Sequence, residues 1–84
     1  MNAQPSPLET ALEQARKRRA LPSPRVRREL RRRLGISQEV IAQAVGVSRI
    51  TLLHYEFGRR RPSGERLERY LDVLDRLKRE GLSA

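Results

Sequence analysis

Eighty-four residues without a cysteine leave room for one small domain, with no disulfide or thiolate metal site to reinforce a modest core. Nineteen Lys and Arg against ten Asp and Glu give a net charge of +9, which points to a polyanionic partner. One histidine and no carboxylate cluster on an apolar pocket leave nothing to run acid–base or metal chemistry, so the expectation is no enzyme, no metal and no cofactor.

Residues 1–5 carry no periodicity and are expected to be disordered. Ser6-Pro7-Leu8-Glu9 reads as a helix start, with Ser at the N-cap, Pro at the first helical position and Glu completing a capping box. The helix over 8–19 places Leu8, Ala11, Leu12 and Ala15 on one face and runs into Arg16-Lys17-Arg18-Arg19. Leu21-Pro22 ends it, since a residue before proline is pushed out of the helical region. A helix of this length is marginal alone in water. It either docks, on its own domain or on a partner chain, or stays a flexible basic arm that orders only when bound.

Ser23-Pro24 repeats the cap-and-proline device. Val26, Leu30 and Leu34 form an inward stripe surrounded by Arg25, Arg27, Arg28, Arg32 and Arg33, and Gly35 is the natural stop. Residues 16–33 hold ten basic side chains and one acid, Glu29, whereas the rest of the chain is balanced. Charged helix faces are commonly just solvated, but here the interspersed acids are missing, which favours proximity to an anion. Seventeen of the bases are arginine. That suits bidentate phosphate and guanine contacts, although codon usage alone also produces such a bias.

Ser37 to Gly58 is the stretch around which the chain is organised. Ser37 is an N-cap, Ile41 and Val45 give a core stripe, and Gly46 stands where a left-handed residue must end the helix. Ser48 caps the next helix and Gly58 closes it. Helix, short glycine turn, helix is the helix-turn-helix pattern. At 100° per residue, Leu52 and Tyr55 face inward, while Arg49, Ile50, Leu53 and His54 take the opposite arc, which therefore carries two aliphatics on a wet face. Val40 and Ala44 leave a small apolar patch that offers the N-terminal helix a place to dock. Beyond Phe57 the loop carries Arg59, Arg60 and Arg61. Ser63 caps a last helix whose stripe, Leu67, Tyr70, Leu71, Val73, Leu74 and Leu77, is too wide for one contact. Gly81 is expected to end it, leaving 82–84 frayed.

Ser37-Gln38-Glu39, Ile41-Ala42, Val45-Gly46-Val47-Ser48, Tyr55-Glu56, Gly58 and Pro62-Ser63 resemble, at matching spacing, the phage-repressor and Cro type of helix-turn-helix domain. The resemblance runs from about Leu30 to Leu74. It implies that the helix over 48–56 enters the DNA major groove with residues near its N-terminus on base edges. Arg49 would then meet guanine bidentately, Ile50 and Leu53 thymine methyls, and His54 a purine N7 or a phosphate; for His54 alone a plain surface histidine is the equal alternative. Gln38, Ser48 and the backbone N–H of Phe57 are implied phosphate contacts, unless the Phe57 ring packs inward. Arg59, Arg60 and Arg61 would straddle the DNA backbone. Arg31 and Glu56 are the implied pair that clamps two helices together.

The resulting layout is an N-terminal extension over 1–22 with an amphipathic basic helix, a helix-turn-helix domain over 23–80 and a frayed tail over 81–84. The expected fold is all-α, a small five-helix repressor-like domain with an extra N-terminal helix. Arg16, Arg18, Arg19, Arg27 and Arg28 are candidates for extra phosphate contacts. Tyr70, Val73, Leu74 and Leu77 are candidates for homodimerisation. The leading function is a dimeric repressor reading palindromic double-stranded DNA, of prokaryotic or phage origin and nucleoid-associated. An adaptor or RNA-binding protein built on the same fold is the alternative. With no apolar run near the ~18 residues of a membrane span and no signal-peptide pattern, a soluble cytoplasmic protein without membrane partner or small-molecule substrate is expected.

Overall fold

A computed structural model of the chain describes Gln4 and residues 6–83, and within them the backbone forms five α-helices. These are α1 (Pro7–Ala20), α2 (Pro24–Arg33), α3 (Gln38–Val45), α4 (Arg49–Glu56) and α5 (Gly64–Ser83). The expectation for residues 1–5 falls, Gln4 apart, outside the described residues, as does Ala84. Four helices start on the same device. Ser6, Ser23, Ser37 and Ser48 hold extended backbone, and each side-chain oxygen accepts the N–H three residues on, from Glu9, Val26, Val40 and Thr51. Each cap satisfies an orphan donor and is worth about 0.5–2 kcal/mol. Proline at the start of α1 and α2 costs nothing there, because its missing N–H had no helical partner.

The turn between α3 and α4 depends on Gly46. Its φ of +83° lets its own N–H and that of Val47 both reach the Ala42 carbonyl, at 2.8 and 3.0 Å. A Cβ there would also lie 2.8 Å from the Arg69 guanidinium. Gly81 behaves differently from its sequence reading. It keeps negative φ, and α5 continues through it to Ser83, so the expected frayed tail is helical there. A glycine ends a helix only where the chain turns left-handed, and nothing at Gly81 asks for that turn.

The core gathers where α3, α4 and α5 meet, closed on one side by α2. Ile41, Ala42 and Val45 of α3, Leu52 and Tyr55 of α4, and Tyr70, Leu74 and Leu77 of α5 are buried together. The Tyr55 and Tyr70 rings stack with centroids 5.6 Å apart. Leu30, Leu34, Ile36, Val47 and Val73 pack around them. Fully burying an aliphatic such as Leu52 or Val45 contributes about 1.5–3 kcal/mol. The dimer assignment of the α5 stripe is corrected by this packing: Tyr70, Leu74 and Leu77 are 1%, 4% and 7% exposed and are consumed by the monomer core, with Val73 half-buried beside them. In a chain this small the core needs the wide stripe for itself.

The N-terminal helix docks, but neither on the expected patch nor through the expected face. Val40 and Ala44 stay exposed. Instead α1 lies against the first half of α5. Gln14 Oε1 accepts the Gly64 N–H at 3.3 Å, and the Lys17 ammonium pairs with Glu68 and, at 3.3 Å, with Glu13. The Glu68 hydrogen bond, reinforced by Glu13, raises the Lys17 pKa above its ordinary value. Leu8 and Leu12 remain 67% and 49% exposed. The hydrogen bonds and ion pairs that dock α1 come from Gln14 and Lys17, while of the apolar stripe Leu8, Ala11 and Leu12 stay exposed and Ala15 is half-buried. Leu21, just past the helix, reaches the edge of the core.

Candidate nucleic-acid interface

The position of α4 is fixed by a buried charge pair. Glu56, its last residue, is 1% exposed, and Arg31 of α2 reaches it with Nε at 2.5 Å from Oε2 and Nη2 at 2.9 Å from Oε1. The third guanidinium nitrogen, Nη1, donates to the Ile36 carbonyl at 3.0 Å, so one arginine ties α2, the α2–α3 turn and α4 together. The pair implied by the family resemblance is thus present in bidentate form. Such planar two-point contact is specific to arginine.

Gln38 extends this pair toward the surface. Its Nε2 donates to Glu56 Oε1 at 3.1 Å, and its Oε1 accepts from Arg49 Nη1 at 3.3 Å. A chain of hydrogen bonds therefore runs Arg31, Glu56, Gln38, Arg49, from the buried side of α4 to its exposed first residue. The two site candidates Gln38 and Arg49 are brought together, and Gln38 spends one amide N–H and its carbonyl oxygen within the protein. Arg49 sits on the flank of α4 toward α3 and not opposite Leu52, because 100° steps bring residues 49 and 56 close together in projection.

The far end of α4 is neutralised by arginines of α2. The last carbonyls of a helix lack intrahelical donors and carry partial negative charge. Arg27 Nη1 donates to the Tyr55 carbonyl at 2.8 Å and Arg28 Nη1 to the Glu56 carbonyl at 2.5 Å. Arg27 also donates through Nε to the Pro22 carbonyl at 2.7 Å. Burial lowers the Arg27 pKa below the ordinary arginine value. Both residues, expected as extra phosphate contacts, spend part of their guanidinium on capping α4.

Phe57 departs from its reading on both counts. Its N–H donates to the Leu53 carbonyl at 3.1 Å, as a further helical bond, so it is not open to a phosphate. The ring neither packs inward nor stands free. It is 46% exposed, with the Arg28 guanidinium carbon 4.5 Å and that of Arg59 5.9 Å from its centroid. Phe57 thus holds two guanidinium groups at the end of α4.

On the outer side of α4, Arg49 and Ile50 are exposed, Ile50 by 62%, while Leu53 and His54 are half-buried. His54 Nδ1 is buried without a hydrogen-bond partner among the described residues. Its ring is therefore turned partly into the protein, which leaves less of it to meet a base than an outward histidine would offer. The Ser48 oxygen is taken up by capping and by a 3.0 Å bond to Thr51 Oγ1. Arg59, Arg60 and Arg61 are exposed. Arg16 is exposed on α1, and Arg18 and Arg19 come beside this loop.

Two roles were missed in the sequence: the Gln38 bridge and the capping of α4 by Arg27 and Arg28. Both depend on which helix end faces which, and no local pattern carries that information.

Comparison with known proteins matches residues 28–82 to the helix-turn-helix family. The chain belongs to this family, in its Cro and phage-repressor type, which is one of DNA-binding transcription regulators and not of enzymes. Searches of curated proteins and of solved structures returned no match. Among the described residues no helix is long and apolar enough to cross a membrane.

Proposed function

We propose that the protein is a sequence-specific repressor that binds a palindromic duplex as a homodimer, with α4 in the major groove. The observation that carries this reading is the outer side of α4. Ile50 is left 62% exposed beside Arg49, on a helix followed by a loop with three exposed arginines. An aliphatic there is unfavourable in water but useful against a thymine methyl. Arg49, Ile50 and the exposed edges of Leu53 and His54 read bases, and Arg59, Arg60 and Arg61 hold the backbone. Arg49 is oriented before binding by Gln38, which reduces the conformational cost of placing its guanidinium on a base.

With the α5 core residues occupied, a second copy would cover the exposed apolar remainder on α2 and α5, where Val26, Leu71 and Leu82 border a shared groove. Two copies then set their α4 helices about 34 Å apart, one turn of duplex. A protein of this kind works in the cytoplasm.

The decisive comparison is competition among a specific duplex, a random duplex and an RNA of equal length. Repression through sequence reading predicts a duplex-specific footprint and displacement by neither competitor at equal concentration. Equal displacement by RNA would instead favour an RNA-binding role for the same fold. In the same assay, Arg59→Ala with Arg61→Ala weakens all duplexes alike and lowers the slope of log K against log salt by about 0.9 per lost phosphate contact.

A further inference from the structure

The docked α1 brings arginines that the sequence offered only as scattered phosphate candidates to one cavity. Its last turn, carrying Arg18 and Arg19, closes one side of a cavity of about 490 Å³, whose other walls are Arg27 of α2 and Gly58, Arg60 and Arg61 of the loop after α4. Pro62, buried at the start of the next segment, contributes apolar lining. Five arginines thus line one small cavity, and no Asp or Glu lines it. Elsewhere some of the chain's cations are paired, as in Arg31 with Glu56, Arg69 with Glu65 and Lys17 with Glu68. The side chains of Arg18, Arg19, Arg60 and Arg61 make no hydrogen bond or ion pair among the described residues. Arg27 spends Nε and Nη1 on carbonyls, and its Nη2 has no protein partner among those residues.

Gathering unpaired cations around a concave surface is repulsive unless an anion joins them. Concave, low-dielectric walls also strengthen the field at the centre. Guanidinium forks match the oxygens of phosphate in two-point contacts. We propose that this cavity is a phosphate site assembled by α1 and the α4–α5 loop, taking either a backbone phosphate of bound nucleic acid or a free phosphorylated compound. The Gln14–Gly64 and Lys17–Glu68 contacts hold α1 where its arginines complete the site. The polar docking face follows from this role, since α1 is positioned for the charges it delivers and not for the apolar area it buries.

The nucleic-acid arm of the test rests on the duplex-binding reading above; the free-anion arm does not. In the first arm, the salt dependence of binding to a random-sequence duplex is measured for the full chain, for Arg18→Ala/Arg19→Ala, and for Arg32→Ala/Arg33→Ala as an equal charge change at the other end of α2. In the second arm, Tm is measured with and without pyrophosphate for the same three proteins. Alanine at these exposed helical positions preserves helix propensity, so all three fold. A duplex phosphate in the cavity predicts a slope smaller in magnitude by about 0.9, one phosphate contact, for the Arg18/Arg19 variant and unchanged for the Arg32/Arg33 variant. A free phosphorylated ligand predicts that pyrophosphate raises Tm by several degrees in the wild type and control, and not in the Arg18/Arg19 variant. Either result supports the site and names the source of its anion. If both variants change alike in both arms, the arginines act only through the general field and the site is overturned; no change in either arm overturns it as well. Should the protein bind no duplex at all, the DNA reading falls, and pyrophosphate still decides the cavity.

Discussion

Replacing Glu56 by Gln changes one atom of a buried side chain, yet it removes the charge opposite an arginine that cannot leave. Arg31 is 11% exposed at its side chain and is committed to Glu56 through two nitrogens and to the Ile36 carbonyl through the third. Glu56→Gln leaves the Arg31 charge buried and unpaired, and in either amide orientation it sets the NH2 of residue 56 against the guanidinium, in one of them against Gln38 Nε2 as well. Breaking one partner of a buried pair costs about 3–5 kcal/mol. Chains of this size hold roughly 4–12 kcal/mol in all, at 0.05–0.15 kcal/mol per residue. At about 4–8 °C per kcal/mol for small domains, Tm falls by at least about 12 °C. Thermal and urea unfolding followed by far-UV circular dichroism measure the loss. The companion variant Arg31→Met/Glu56→Met removes both charges and recovers most of it, because hydrophobic replacement of a buried pair is often neutral. A Glu56→Gln loss below about 1 kcal/mol would refute the argument, since it would place the pair in a solvated setting where ion pairs are worth little.

Tyr70→Phe acts in the opposite direction. The Tyr70 hydroxyl is buried without a partner among the described residues, and burial pushes its pKa far above the usual phenol range. Removing it stabilises the protein by about 1 kcal/mol, the lower end of the cost of an unsatisfied buried group. Because the folded pKa is raised, the stability tied to the neutral phenol is complete below the unfolded value near 10 and is lost as pH rises beyond it. Wild-type Tm therefore falls more steeply than that of Tyr70→Phe in alkaline titration, and parallel curves would contradict this. Arg49→Ala relaxes preference at one base position and costs about 1–3 kcal/mol on the specific duplex, measured by fluorescence anisotropy; equal weakening on random DNA would reassign Arg49 to a phosphate. Deleting residues 1–20 lowers Tm in the absence of DNA by a few degrees, because the Lys17 and Gln14 contacts and part of the cover over Leu21 are lost. An unchanged Tm would show that α1 is not docked in solution.

Much of the fold was legible because its signals are local. A serine followed by proline or by a short polar turn marks where four helices begin, and Gly46 marks where α3 stops. The inward side of α4 follows from Leu52 and Tyr55 alone. What the sequence hid is the destination of each surface. The leucines of α1 form a regular stripe, yet Gln14 and Lys17 make its contacts, and a polar docking face has no period to read. The α5 stripe looked wider than one contact needs because its length gives no measure of how thin the rest of the core is. In the site, the exposed first turn of α4 was readable from helical geometry. The engagement of Gln38, Arg27 and Arg28 was not, because each is set by an end of α4 supplied from elsewhere in the chain. The Phe57 N–H is used up because α4 runs one hydrogen bond further than its sequence marks.

The central claim is that α4 reads a duplex in two symmetric copies. Selection of bound duplexes from a random pool, run with the full chain at near-physiological salt, tests it in one measurement. The account predicts enrichment of an inverted repeat whose half-sites lie about ten base pairs apart, centre to centre, with at least one guanine and one thymine in each half-site to meet Arg49 and Ile50. A pool that remains random after repeated rounds while binding stays tight would show a protein that holds phosphates and reads nothing, and would contradict the account.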